Sequence, residues 1–264
     1  VKGISGWGLG VLAALFLAFA LPPARAAGQL TVAAAADTQF AMRELAKQFE
    51  QKSGTPVRLV IGSSGNLTTQ IEHGAPFDLF FSADVEHPEK LAREGLAAPG
   101  TLTRYAVGRL VVFVPAESRL DLEHRGLAAL EAAAVKKIAI ANPRFAPYGR
   151  AAVAALRHAG LYEKLEPKLV LGEDVAQTTQ FVVSGNAQAG LTALALMLAP
   201  GRRPAGRWWV VPLDAYPPLA QAAVIVERSH EQKAARAFLQ FLGTPEARGI
   251  LQRYGFAEPG EKKR

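Results

Sequence analysis

Val57-Arg-Leu-Val-Ile61-Gly62-Ser63-Ser64-Gly65-Asn66-Leu-Thr-Thr-Gln-Ile71 holds the junction from which the rest of the chain can be read. Val57 to Ile61 is a short apolar run broken only by Arg58, as in a strand, and Asn66 onward opens a helix. Between them two glycines bracket two serines, so the backbone can take positive φ and approach a ligand closely. The serine hydroxyls fall where the first turn of a helix leaves N–H groups free. A strand, a Gly/Ser loop and a helix N-terminus together make a corner suited to an oxyanion. A plain turn before a helix has the same composition, so the loop alone leaves both readings open.

Upstream, Leu30 to Ala36 is an apolar strand stopped by Asp37-Thr38. Phe40 onward places Met42, Leu45, Ala46 and Phe49 on one helical face, ending at Ser53-Gly54. Downstream, the Gly62 loop leads to a helix ending at His73-Gly74, then a strand from Phe77 to Ser82 and a helix through Glu89 to Glu94, closed by Gly95. Strand and helix alternate, the pattern of an open sheet covered by helices. Tyr105 to Val114 is a long extended run interrupted by Gly108, long enough to leave one sheet and enter another. Beyond it the spacing predicts a helix over 127–134, strands near 137–141, 169–171, 189–193, 207–211 and 221–226, and helices over 149–159, 176–184, 231–242 and 245–254. Ala36-Asp37, Pro147-Tyr148-Gly149 and Glu173-Asp174-Val175 repeat the situation of the Gly62 loop, each standing just before a helix. Ligands of open α/β sheets sit where strand ends and helix N-termini converge. Four such junctions, two in each half, suit one small anion held between two lobes.

Half of the 264 residues are hydrophobic, enough for one large domain or two small ones. At the N-terminus, Lys2, the apolar run Val11 to Leu21 and the Ala24-Arg25-Ala26 pattern read as an export signal cleaved near Ala26. The run is short for a membrane span, so the mature chain is expected to be periplasmic and soluble. There is no cysteine, which removes disulfides, thiolate metal sites and thiol nucleophiles. The net charge of +7 is scattered, except for Lys262, Lys263 and Arg264, with no basic run interleaved with aromatics. Nucleic acid is therefore not an expected partner, while a mild positive field would help gather a small anion.

Read together, the motifs Ala33-Ala-Ala-Ala-Asp37, Gly62-Ser-Ser-Gly-Asn-Leu67, Gly74-Ala-Pro-Phe-Asp-Leu-Phe-Phe-Ser-Ala-Asp84, Ala141-Asn-Pro143, Pro147-Tyr-Gly149, Glu173-Asp-Val175 and Arg253-Tyr-Gly-Phe256 resemble the periplasmic molybdate-binding proteins of ABC importers. The resemblance covers nearly all of the chain beyond the export signal. It implies an α/β, two-lobed type II periplasmic binding fold, each lobe an open mixed sheet flanked by helices, with molybdate or tungstate in the interlobe cleft. It also implies an ABC permease as partner, no cofactor and a monomer. The first lobe would comprise 27–107 and 219–257, the second 108–218, with 258–264 as a tail and crossovers near Gly108 and between Tyr216 and Leu219. Carried over position by position, Ala36, Asp37, Tyr148 and Val175 would offer backbone N–H groups, and Ser64 both its N–H and its hydroxyl. Two positions depart from the family pattern: Asp37 stands where many members have serine, and Ala193 where many have tyrosine. Tyr148 or Thr192 could supply the missing hydroxyl.

A carboxylate facing a dianion in a dry site is repelled by several kcal/mol. The side chain of Asp37 is therefore expected to turn away and cap the following helix. The alternative is that it accepts a proton from an anion such as hydrogen phosphate, which would change the substrate class to another tetrahedral oxyanion. Enzymatic readings have less behind them. Ser63 and Ser64 are not in a Gly-x-Ser-x-Gly turn, so an exported hydrolase using Ser64 and Asp37 is only the alternative from another class. His73, His87, His124, His158 and His230 show no metal-binding spacing. Trp208-Trp209, in a short strand, reads as packing rather than a stacking surface.

Overall fold

The alternation of apolar and amphipathic stretches resolves into ten strands and ten α-helices among residues 28–201 and 203–260, which the computed structural model describes. In chain order these are β1 (Leu30–Ala35), α1 (Gln39–Ser53), β2 (Val57–Gly62), α2 (Ser64–Glu72), β3 (Leu79–Ser82), α3 (Glu86–Arg93), β4 (Thr103–Gly108) and β5 (Leu110–Pro115). There follow α4 (Leu122–Arg125), β6 (Ile138–Ala141), α5 (Pro147–His158), α6 (Tyr162–Leu165), β7 (Leu169–Gly172), α7 (Val175–Val183), β8 (Ala189–Ala193) and α8 (Leu194–Met197). The chain closes with β9 (Gly206–Val210), β10 (Leu219–Ile225), α9 (Gln232–Leu242) and α10 (Pro245–Arg253). The segment read as an export signal, 1–26, and residues 261–264 of the tail lie outside the described residues.

The strands form two sheets, ordered β2-β1-β3-β10-β4 and β7-β6-β8-β5-β9. Each has three parallel strands followed by one antiparallel to its neighbours, β10 in the first sheet and β5 in the second. The lobes thus share a topology although the sequence shows no repeat. The long run 103–115 does change sheets. β4 ends at Gly108, β5 begins at Leu110, and Arg109 alone separates them. The chain returns between β9 and β10, so β10 and the last two helices complete the first sheet.

Local chemistry explains the element ends. α1 buries Met42, Leu45 and Phe49 on one face and stops at Gly54, whose φ of 70° suits a residue without Cβ. In the first lobe Phe49, Phe81, Phe238 and Tyr105 cluster, with ring centroids 4.9 Å apart for Phe49–Phe238 and 5.2 Å for Phe81–Tyr105. The second core gathers β5, β6 and β8 against α5, and also takes in Ala35, Ala36 and Ala83 from the first sheet's strand ends. The lobes therefore meet through small apolar residues.

One expectation is corrected, and one element is new. The helix placed over 127–134 is instead the short α4 followed by a 3-10 turn, Gly126–Glu131. Its residues Leu127, Ala129 and Leu130 are all buried, a spacing that a three-residue turn serves better than an α-helix. α8 was not anticipated, because all four of its residues are buried and it has no polar face to set a period. It straddles both cores: Leu194, Leu196 and Met197 pack in the second, Ala195 and the following Ala199 in the first.

Candidate functional site

Each parallel strand of the two sheets runs into a turn that starts a helix, and five of these turns meet between the lobes. Ala35, Ala36, Asp37, Gly62, Ser63, Ser64, Ala83, Ala146, Pro147, Tyr148, Asp174 and Val175 line one small cavity there. All five residues named from the sequence, Ala36, Asp37, Ser64, Tyr148 and Val175, stand in this lining and are buried. No lysine, arginine or histidine lines it. Larger clefts elsewhere, such as the one between β4 and α10, lie away from the convergence of helix N-termini.

The helix starts are arranged so that particular N–H groups stay free. At α7, Asp174 Oδ1 accepts from Ala176 N–H at 2.8 Å and Gln177 N–H at 2.9 Å, leaving the N–H of Val175, the first helical residue, for the cavity. Burial raises the Asp174 carboxyl, and these two donors pull it back. Pro147 begins α5 without an N–H of its own, so Tyr148 is the first donor of that helix. Ser64 opens α2, and its Oγ accepts from Ala83 N–H at 3.0 Å, which leaves the hydroxyl hydrogen to be donated. Ser63 Oγ is buried with no partner among the described residues, a second free hydroxyl at the same loop.

Asp37 does not behave as expected. Neither the 3-10 turn Ala36–Thr38 nor α1 has a side-chain cap, so the capping role is corrected. The carboxylate Oδ2 instead accepts from Gln221 Nε2 on β10, whose Oε1 accepts from the Tyr105 hydroxyl at 2.7 Å. Asp37 Oδ1 and the Tyr148 hydroxyl face each other without closing a well-aligned hydrogen bond, and both are buried. The cause is tertiary: the fold brings Gln221, 184 residues away, to offer its amide to this carboxylate. Burial pushes the Asp37 carboxyl up to about 7, against the pull of the Gln221 amide and the nearby Tyr148 hydroxyl. Burial, then the nearby Asp37 charge, pushes the Tyr148 phenol well above its usual value.

Of the two candidates to replace a tyrosine at Ala193, Thr192 is already committed, donating to Val175 O at 3.1 Å and sharing a hydrogen bond with Thr179 at 2.8 Å. The residues that sequence reasoning missed are Ser63, Ala83, Gln221 and Tyr105. Ser63 and Ala83 lay inside quoted motifs. For Gln221, only its polar character within an apolar strand was a signal.

Contacts between the lobes surround the cavity. Gly65 N–H donates to Phe145 O at 2.8 Å, and Asn66 Nδ2 to Glu173 Oε1 at 2.9 Å. Arg150 Nη2 reaches Asp84 Oδ2 at 2.5 Å and Glu86 Oε2 at 3.4 Å. Burial would raise the Asp84 carboxyl, but its contacts with His87 and the hydrogen bond from Ser82 hold it below the usual range.

Two α/β lobes closed on a cavity of helix N-termini define a two-lobed binding protein. The bacterial extracellular solute-binding protein family model matches residues 30–257. The molybdate-binding protein ModA of Rhodobacter capsulatus is 40% identical over 92% of this chain and 93% of its own. ModA of Azotobacter vinelandii is 40% identical over 87% of this chain and 90% of its own. The solved Azotobacter vinelandii periplasmic molybdate-binding protein superposes with a TM-score of 0.82 and 36% identity, covering 88% of this chain and all of that one. The chain belongs to the bacterial extracellular solute-binding proteins.

Proposed function

We propose that this protein captures molybdate, and tungstate equally, between its lobes and delivers it to the permease of an ABC importer. The observation that carries the reading is the lining of the cavity: Ala36, Asp37, Ser64, Tyr148 and Val175 converge there from both lobes, with no cationic side chain among them. The N–H groups of these residues, with the Ser64 hydroxyl, are the oxyanion donors. Helix N-termini supply partial positive charge without the desolvation cost of burying a lysine. The molybdate-binding relatives support the same ligand. In this reading the lobes are 27–107 with 219–257, and 108–218, and 258–264 is the tail. The protein is exported by cleavage near Ala26, works in the periplasm as a monomer and catalyses nothing.

A site of neutral donors should separate anions by size and protonation. Hydrogen phosphate brings an O–H that must find an acceptor, and sulfate has shorter bonds that would stretch several contacts at once. A competition series followed by calorimetry should rank molybdate close to tungstate, both far above sulfate, with phosphate weakest. Sulfate as tight as molybdate would refute the size argument and leave a general oxyanion binder.

A further inference from the structure

We propose that Asp37 couples anion capture to the uptake of one proton, so that the cleft closes on a dianion only with a neutral carboxyl in its wall. This rests on the anion-binding reading and adds to it a residue whose charge sets the affinity. Asp37 is 2% exposed, and one of its oxygens, Oδ1, has no hydrogen-bond partner among the described residues. The groups facing it can be named element by element. α5 brings the Tyr148 hydroxyl, itself unpartnered; β10 brings the Gln221 amide; β4 brings Tyr105, which donates to that amide. Asp84, after β3, is held by His87 and Arg150, and Asp174, at the start of α7, is committed to its own helix. Tyr216 accepts from Leu110 N–H at 3.1 Å. α8 and the first turn of α1, which pack beside the turn, bring no titratable group. No cation therefore stands against Asp37 within the cavity.

An ionised carboxylate there would meet a dianion in a nearly water-free space, where like charges repel strongly. Burial already holds this carboxyl at about 7 in the free site, and the anion raises it further. Above that pH, binding draws a proton from solvent onto Oδ1. No other bond is made or broken. The new O–H is a second donor beside the Tyr148 hydroxyl, so one hydrogen can lie between Oδ1 and the phenol oxygen while the other points at the anion.

The test is calorimetric titration of the protein with molybdate in two buffers of different ionisation enthalpy. At about pH 8.5 the buffer dependence should report uptake of about one proton per anion, and at about pH 5.5 close to none. The Kd should rise by about tenfold per pH unit above about pH 7. Asp37→Asn, which keeps the N–H and cannot ionise, should bind with no proton uptake and no such slope. Protonation of the anion itself would persist in the variant, so the variant separates the two sources. A wild type that binds molybdate with equal heats in both buffers at about pH 8.5 overturns the coupling while leaving the anion site standing. So does a variant with the wild-type slope. Absence of molybdate binding at every pH overturns both. If Asp37→Asn does not fold, the wild-type buffer comparison decides alone.

Discussion

Ser64 is the residue on which the two lobes' chemistry most directly depends. Its Oγ accepts from Ala83 N–H at 3.0 Å, so the hydroxyl hydrogen is pointed by a bond already made. A hydroxyl donating to a charged oxygen contributes about 1.5–3 kcal/mol, so Ser64→Ala should weaken molybdate binding by about ten- to a hundredfold. The same change orphans the Ala83 N–H, and the free protein should lose about 1 kcal/mol of stability. Ser63→Ala, which removes the unpartnered hydroxyl, should weaken binding without that stability loss. Calorimetry and denaturant unfolding of both variants check this; wild-type affinity in either removes that hydroxyl from the site. Asp37 makes a prediction of a different kind. Its carboxyl is raised from 3.8 to about 7 on folding, so the folded state binds its proton more tightly than the unfolded chain. The stability this contributes is complete below the unfolded value and is lost as pH climbs to about 7, by at most about 4 kcal/mol. Unfolding of the ligand-free protein at about pH 5 and about pH 8 should show wild type losing stability that Asp37→Asn keeps. Parallel losses in the two proteins would mean the carboxylate is not penalised by its burial. Asp84, held below its usual range, works in the opposite sense and at lower pH, so it does not confuse this comparison.

At the scale of elements, the site is made by four helix starts, and α2 shows how closely they must meet. A Cβ on Gly65 would lie 2.8 Å from Phe145 O and 2.9 Å from Phe145 Cα, both backbone atoms of the facing lobe. The clash falls across the cleft rather than within a lobe. Gly65→Ala should therefore leave the melting temperature of the free protein close to wild type while weakening molybdate binding by at least about tenfold, the equivalent of about 1.4 kcal/mol. A thermal shift series with and without ligand measures both, and full affinity in the variant would mean that the lobes bind without closing this far. Helix starts of this kind were legible in the sequence because each carries local chemistry: Gly62 to Gly65, Pro147, and Asp174 ahead of Val175. The sheet change at Gly108 was legible too, since ten extended residues interrupted by a glycine are long enough to leave one sheet and enter another. The turn over 126–131 was not, because Leu127 to Ala134 has strong helix propensity and the burial of three near-adjacent residues overrides it. The direction of the Asp37 side chain was also hidden. A carboxylate at the start of a helix has a local partner by default, and only the fold brings Gln221 to it.

The whole molecule is held closed by contacts that exist only when the lobes meet. Arg150 to Asp84 is the shortest polar one, and the Asp84 side chain is only 12% exposed. Its loss should cost the closed state about 1 kcal/mol, less than a fully buried pair because Arg150 is more open to water. Arg150→Ala should therefore release molybdate about fivefold faster, with the association rate nearly unchanged, since that pair forms after the anion arrives. Stopped-flow dissociation measures it, and an unchanged release rate would show that opening does not break this contact. The two sheets also differ in when they can exist. Every strand of the second sheet lies between residues 110 and 210, and its members can pair as soon as that stretch is available. In the first sheet β10 sits between β3 and β4, so β4 has no neighbour until residues 219–225 arrive. A chain delivered N-terminus first, from a ribosome or through a translocation pore, therefore makes β1 earliest and finishes that sheet last. Until the chain beyond it follows, Phe81 has Tyr105 but no Phe238 to pack against, and its apolar face is open to any chaperone waiting on the far side.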